Sequence, residues 1–205
     1  MSGAARRYVL ATANPDKVVE ISAILETGVD LVPRPADIPE VVEDGETLED
    51  NARLKAVAIA EATGAPAIAD DTGFEVEALG GEPGVRAARY AGDDVTYADN
   101  VAKVLRELER VGASEPAQRR ARFRTVALLR HPDGNEVVAE GTCEGTIVAV
   151  PAGDGGFGYD PIFVPDGGDG RTFAELTAAE KHAVSHRGRA FRALAERLRT
   201  DDIAG

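Results

Sequence analysis

The stretch AIADDTGFEV, Ala67 to Val76, decides how the chain is read. Its small apolar start has the composition of a buried strand, expected over residues 66–69. Two adjacent carboxylates, Asp70 and Asp71, stand where that strand would end. Thr72 and Gly73 follow, and a second short strand is expected over residues 74–79. Open α/β sheets bind ligands at the carboxyl ends of their strands. Neighbouring strand side chains point to opposite faces, so one carboxylate can enter a cleft while the other holds a turn or a backbone N–H. A turn residue and a metal ligand both fit the pattern at this point.

Working outward, residues 8–13 read as a first strand and NPDKVVEISAIL as a helix. Asn14 is a good N-cap and Pro15 suits the first helical position. Val18, Ile21, Ile24 and Leu25 share one face, and Gly28 is the stop. Residues 33–46, rich in Pro, Asp and Glu, read as loop. Thr47 opens a second helix, with Asp50 as capping partner, that runs to Gly64. Downstream, GGEPG is a turn, and residues 95–111 form a helix with Val101, Val104, Leu105 and Leu108 on one stripe. Two strands, 122–130 and 136–150, flank the hairpin signal HPDGNE. GDGGFGYDP is a second Gly-rich turn, followed by a short strand at 162–164 and the loop DGGDGR. Thr177 and Glu180 form a T-x-x-E capping box opening one C-terminal helix to about Leu198. Strands alternating with helices, and a hairpin in the middle, predict an α/β fold with a mixed sheet in one domain over 1–205.

The 205 residues suffice to bury a sizeable core, and 43% hydrophobic with 29% charged residues is ordinary for a soluble globular chain. No apolar run approaches the roughly 18 residues of a membrane helix. The segment MSGAARRYVLATA has too short an apolar run for a signal peptide. Cys143 is the one cysteine, so neither an intramolecular disulfide nor a cysteine-based zinc cluster forms. Together these points favour the cytoplasm. A net charge of −13 argues against nucleic-acid binding through the general surface, which needs Lys/Arg patches. A polyanionic ligand would need a local basic cluster or a divalent cation.

Four stretches could carry chemistry. In TANPDK (Thr12, Ala13, Asn14, Pro15, Asp16, Lys17) a strand enters a capped helix N-terminus whose backbone N–H groups and lysine suit a phosphate, though an ordinary turn with a surface lysine has the same pattern. It is not a Walker A loop, because the glycines and the GK[ST] are absent. The strand-end carboxylates, with a second one from the acidic loop EVVEDGE, suit Mg²⁺, which takes one or two carboxylates plus phosphate oxygens. The bland reading of that loop is a solvated charge run. In GGFGYDP, Phe157 is either a packing plug or a ring that stacks on a base, with Asp160 as a hydrogen-bonding neighbour. In EKHAVSHRGRAF, His182 and His186 stand four apart, but the Glu of HExxH is missing and His131 is the one histidine left as a third ligand, which argues against zinc. Joined, these stretches suit a purine nucleoside triphosphate with Mg²⁺.

Five blocks in order, LATANPDK, EDGETLEDNARLKA, ADDTGFEVEALGGEPGVRAARYAG, GGFGYDPIFVP and AEKHAVSHRGRAF, resemble the inosine triphosphate pyrophosphatase family, the dITP/XTP pyrophosphatases. The resemblance runs from Val9 to about Leu198. It implies a long mixed sheet flanked by helices, two lobes with an active-site cleft between them, and a homodimer. It implies Mg²⁺-dependent hydrolysis of dITP, ITP and XTP to the monophosphate and pyrophosphate. Residue by residue, Thr12 to Lys17, Lys55 and Thr72 resemble substrate-binding positions, and Asp71 the catalytic carboxylate and metal ligand. Glu43 resembles the acidic-loop ligand, with Glu40 as its rival. Phe157, Gly158, Tyr159, Asp160, Lys181, His186 and Arg187 resemble the base-recognition set. Ala13 stands where the family has glycine, and Thr72 where it has serine.

On the mechanism this implies, Asp71 activates water while Asp70 faces away and fixes the turn. Rival readings are a pyrophosphatase for other damaged or pyrimidine nucleotides, a silent module that binds ITP without releasing pyrophosphate, and an acidic interaction protein. The last would not need Gly-rich loops beside a basic helical turn. How guanine is rejected does not follow from the sequence.

Overall fold

The expected strand–turn–helix opening forms. Strand β1 (Arg6–Leu10) leads into helix α1 (Pro15–Ile24), capped by the Asn14 side chain with Pro15 in its first turn. The computed structural model describes residues 6–25 and 29–201, so the expected stop at Gly28 lies outside it. Ile21 and Leu25 are buried, with Val18 and Ile24 packed beside them, as the 3.6-residue spacing predicts. Strand β2 (Val29–Pro33) was not expected. It is short and half-buried and shows no alternation; its place comes from parallel pairing with β1.

Helix α2 (Leu48–Thr63) starts at Thr47, whose hydroxyl accepts from the Asp50 N–H, and stops at Gly64 in the left-handed region. The next strand corrects the first reading of AIADDTGFEV. Instead of two strands with carboxylates between them, β3 (Ala67–Val76) runs unbroken through Asp70 and Asp71. Its early part pairs in parallel with β1, and its later part pairs antiparallel with β4 (Pro83–Gly84) across the GGEPG turn. A buried carboxylate in mid-strand is tolerated only when compensated, and both are.

Helix α3 (Tyr97–Arg110) is fixed by a reciprocal capping box between Thr96 and Asp99, and buries Val101, Val104 and Leu108. Strands β5 (Arg120–Arg130) and β6 (Glu136–Ile147) are sheet neighbours joined through 131–135, as HPDGNE predicts. Strand β7 (Phe163–Pro165) pairs antiparallel with β6. The sheet order is β2-β1-β3-β5-β6-β7, with β4 on β3, so the fold is α/β with a mixed sheet.

The C-terminal helix is a second correction. The Thr177–Glu180 capping box forms, but α4 (Ala178–Val184) ends at Ser185, and α5 (His186–Asp201) starts directly after it. Ser185 has extended dihedrals, the conformation a residue takes before a helix start. The spacing of His182 and His186 is therefore not that of one continuous helix.

The chain divides into two compact units. The first comprises the described residues up to Asp71, Thr125–Gly141, and those from Arg187 onward; the second comprises Thr72–Arg124 and Thr142–His186. The first unit's core gathers Leu10, Ile21, Ile68, Leu129, Phe191 and Leu194. The second unit's is aromatic, with Phe74, Phe123, Phe163 and Phe173. Among the described residues no helix is long and apolar enough to cross a membrane.

Candidate active site

In the first unit, the β1–α1 turn closes on itself. The Asn14 N–H donates to Thr12 Oγ1, and Asn14 Oδ1 accepts from the N–H groups of Asp16 and Lys17. Pro15 has no N–H, so the donors expected to be open to a phosphate are engaged at 14, 16 and 17. What this turn offers an anion is the positive end of α1 and the Lys17 side chain. No non-glycine residue among those described has positive φ, so Ala13 needs no glycine-only backbone.

Asp70 is fully buried and is not a turn residue. Its Oδ2 accepts from Lys17 Nζ at 3.0 Å and from Nε and Nη2 of Arg187 at 3.4 and 3.3 Å. The Arg187 Nη1 donates to Glu20 Oε2 at 2.6 Å. Burial pushes the Asp70 carboxyl up, but Lys17 and then Arg187 outweigh it and hold it well below the usual carboxylate range. Burial also pulls the Lys17 ammonium down, more than Asp70 restores. Arg187, expected with the base-recognition residues, thus sits in the first unit with its guanidinium on two carboxylates.

Asp71, next in the strand, points to a different set. Its Oδ1 meets Lys55 Nζ at 3.1 Å, and its Oδ2 accepts from Asn51 Nδ2 at 3.3 Å. Lys55 Nζ is also 3.1 Å from Glu43 Oε1 on the acidic loop, whereas Glu40 is exposed. Burial raises the Asp71 carboxyl; Lys55 and Lys17 oppose this without cancelling it, and Glu43 adds to it. Burial lowers the Lys55 ammonium, but Asp71, Asp70 and Glu43 together outweigh it, so its pKa is raised and it keeps its proton. Two carboxylates converging on one ammonium fit a hard cation that takes its other ligands from phosphate. Among the described residues no three His, Cys, Asp or Glu side chains gather as a metal cage, so neither a closed protein site nor the zinc reading of His182 and His186 gains support.

In the second unit, the GGFGYDP loop is built around Asp160. Its buried Oδ2 accepts from the Phe157 N–H at 2.8 Å and from Lys181 Nζ at 2.5 Å. Gly156, at φ +67°, admits no side chain, because a Cβ there would fall 2.0 Å from Asp160 Oδ2. Lys181 Nζ stands 4.9 Å from the centre of the half-buried Phe157 ring, which also packs against the Tyr97 ring. His186 is buried and stacks on Phe123 at 4.4 Å and 11°. Tyr159 belongs to the core: its ring stacks on Phe74 and its hydroxyl donates to Ala87 O, and burial pushes its pKa up. Gly158 turns this loop at φ +65°, and Thr72 opens the second unit.

The structure thus gathers Thr12, Asn14, Lys17, Glu43, Lys55, Asp71 and Arg187 in the first unit, and Phe157, Asp160, Lys181 and His186 in the second. Sequence reasoning missed Asn51 and Glu20. Each stands one helical turn from an expected lysine, Asn51 four before Lys55 and Glu20 three after Lys17, and helix geometry puts such pairs on one face.

The sequence model of the Ham1 family matches residues 8–197. A dITP/XTP pyrophosphatase of Streptomyces coelicolor is 49% identical over 196 residues, covering 92% of this chain and 94% of that protein. One from Thermus thermophilus is 47% identical over 195 residues, covering 93% and 90%. Among solved structures, a HAM1 protein from Coxiella burnetii superposes with a TM-score of 0.85 at 38% identity, over 95% of this chain and 99% of that one. A nucleoside-triphosphatase / dITP/XTP pyrophosphatase from Mycobacterium abscessus gives 0.72 at 47% identity, over 92% and 98%. With matches this long in both sequence and fold, the chain belongs to the Ham1 family.

Proposed function

We propose that this protein hydrolyses non-canonical purine nucleoside triphosphates, dITP, ITP and XTP, to the monophosphate and pyrophosphate, so removing deaminated purines from the nucleotide pool. The observation that carries this is Lys55 held between Asp71 and Glu43, at 3.1 Å from each. It joins an ammonium to a buried carboxylate placed where it can take a proton from water. The relatives named dITP/XTP pyrophosphatase supply the substrate class.

Asp71 and Glu43 are the residues that would hold Mg²⁺, which when bound offsets negative charge on the triphosphate. Lys17 and Lys55 bind phosphate oxygens, aided by the positive end of α1. Asp71 accepts the proton of the water that attacks the α-phosphorus, and pyrophosphate leaves. Asp70 stays ionised and keeps Lys17 and Arg187 in place. Positioning and electrostatics supply most of the acceleration.

Hypoxanthine and xanthine present O6, an acceptor, where adenine presents an amino donor. Arg187 is turned over to Asp70 and Glu20, which leaves His186 and Lys181 to donate to O6, with Phe157 stacking on the base. A site built to donate there rejects adenine strongly, because adenine leaves its donors unpaired. The family resemblance supports a homodimer, and the substrate pool supports the cytoplasm.

Hydrolysis of ITP in ¹⁸O-water tests the reaction. The label is expected in inosine monophosphate, with unlabelled pyrophosphate as co-product. Label in orthophosphate would contradict attack at the α-phosphorus. ITP bound but unhydrolysed would point to a sensing module.

A further inference from the structure

We propose that Asn51 is a positioning residue that registers the acidic loop on Asp71 and so sets the spacing of the Asp71 and Glu43 carboxylates. The inference rests on the roles given to those two carboxylates above. Asn51 is 1% exposed, and both ends of its amide are used. Nδ2 donates to Asp71 Oδ2 at 3.3 Å, and Oδ1 accepts from the Gly45 N–H at 2.8 Å. Gly45 lies two residues beyond Glu43 on the same loop. Lys55, one turn further along α2, takes the other Asp71 oxygen and the Glu43 carboxylate. One face of α2 therefore holds Asp71 by both oxygens and the acidic loop at two points, which closes a ring: Asp71 to Asn51, Asn51 to Gly45, Glu43 to Lys55, and Lys55 to Asp71.

The chemistry of the ring narrows the choice at each end. Position 51 needs a donor for a carboxylate and an acceptor for a backbone N–H in one short side chain. A carboxamide carries both on one carbon whatever the pH, and glutamine is a methylene longer. An ionised aspartate keeps the acceptor, loses the donor and puts a like charge beside Asp71. Position 45 needs glycine. A Cβ there would stand 2.7 Å from both Asn51 Oδ1 and Asp50 Cβ, and 3.0 Å from Asn51 N, so the loop could not approach α2 this closely.

The test compares wild type with Asn51→Leu, Asn51→Asp and Gly45→Ala. It reads amide hydrogen exchange at Gly45 in the substrate-free, metal-free protein, kcat and KM for ITP, and the Mg²⁺ concentration giving half the maximal rate. The expected result is a slowly exchanging Gly45 N–H in wild type, at least about tenfold faster in Asn51→Leu, and still slow in Asn51→Asp. All three variants are expected to lose about 10- to 100-fold in kcat and to need about tenfold or more Mg²⁺, the usual scale for residues that orient a metal ligand. A protein that was merely destabilised would lose active molecules without moving the Mg²⁺ requirement. If Asn51→Leu does not fold, Gly45→Ala and Asn51→Asp decide. Wild-type kcat and Mg²⁺ requirement in Gly45→Ala and Asn51→Asp, or a freely exchanging Gly45 N–H in wild type, would overturn the proposal. If wild type releases no pyrophosphate at all, the functional reading fails, and Gly45 exchange still settles whether Asn51 holds the loop.

Discussion

Asp70 and Asp71 are consecutive in one strand, and their carboxyl groups are driven in opposite directions. Asp70, facing Lys17 and Arg187, is held well below the usual carboxylate range, whereas burial, with Glu43 beside it, raises Asp71 from its ordinary value against the pull of Lys55 and Lys17. The alternation of strand side chains gives the two carboxyls different ion-pair and hydrogen-bond partners. On the proposed mechanism the two divide the work: Asp70 stays an anion that anchors two cations, and Asp71 is the carboxylate that takes the proton.

Asp71→Asn keeps the shape of the side chain but cannot accept a proton. It is expected to fold as wild type does and to lose at least about a hundredfold in kcat for ITP, the lower range for a positioned general base. Circular dichroism and pyrophosphate release check this. Near wild-type turnover would remove Asp71 from its assigned role.

Asp70→Asn should act on stability first. It takes the anion away from Lys17 and from one side of Arg187, and breaking a buried ion pair costs about 3–5 kcal/mol. The lower end is expected, because Arg187 keeps Glu20. Urea unfolding at neutral pH measures the loss.

The same pair fixes a pH dependence. A carboxyl whose folded pKa is depressed adds stability that is fully present above its unfolded pKa, about 3.9 for Asp, and is lost as pH falls from there toward the folded value. The stability gap between wild type and Asp70→Asn should therefore be constant from neutral pH to about pH 5 and shrink below about pH 4. Asp71 contributes with the opposite sign in both proteins, so the difference keeps only the part that passes through the lysines it shares with Asp70. A gap that stays constant down to pH 2 would contradict the assignment.

Helix α1 was readable in the sequence because its cap, its Pro15 and its apolar stripe lie within a dozen residues. The unbroken β3 was not, because the groups that make Asp70 tolerable there are remote: Arg187 is 117 positions away. The stop at Ser185 was hidden because serine is no strong helix breaker and the apolar period continues past it. Glu43 and Lys55 were identified only through family resemblance. That Lys55 joins Glu43 to Asp71 is a tertiary fact. Asn51 lies one helical turn before Lys55, but its contacts to Asp71 and Gly45 are tertiary and leave no mark in the local sequence.

Tyr159→Phe separates the core from the site in the GGFGYDP loop. Losing the bond to Ala87 O should cost about 1–2 kcal/mol of stability, since a buried acceptor is left without its donor. The kcat/KM for ITP should stay within about twofold of wild type. A large kinetic loss at unchanged stability would place Tyr159 against the substrate instead.

Phe157→Ala is the kinetic counterpart. Base–aromatic stacking contributes about 1–3 kcal/mol per base, so kcat/KM for ITP should fall by about 5- to 150-fold, mostly through KM. Unchanged kinetics would make the ring a packing element, against Tyr97 and Lys181 among others, and not a base-stacking one.

The most direct test of the central claim is pyrophosphate release from ITP, XTP, ATP and GTP, each with Mg²⁺ and with chelator. Rapid, metal-dependent release from ITP and XTP, with ATP and GTP slower by orders of magnitude, is the predicted result. Equal rates on all four nucleotides, or release that survives chelation, would contradict it.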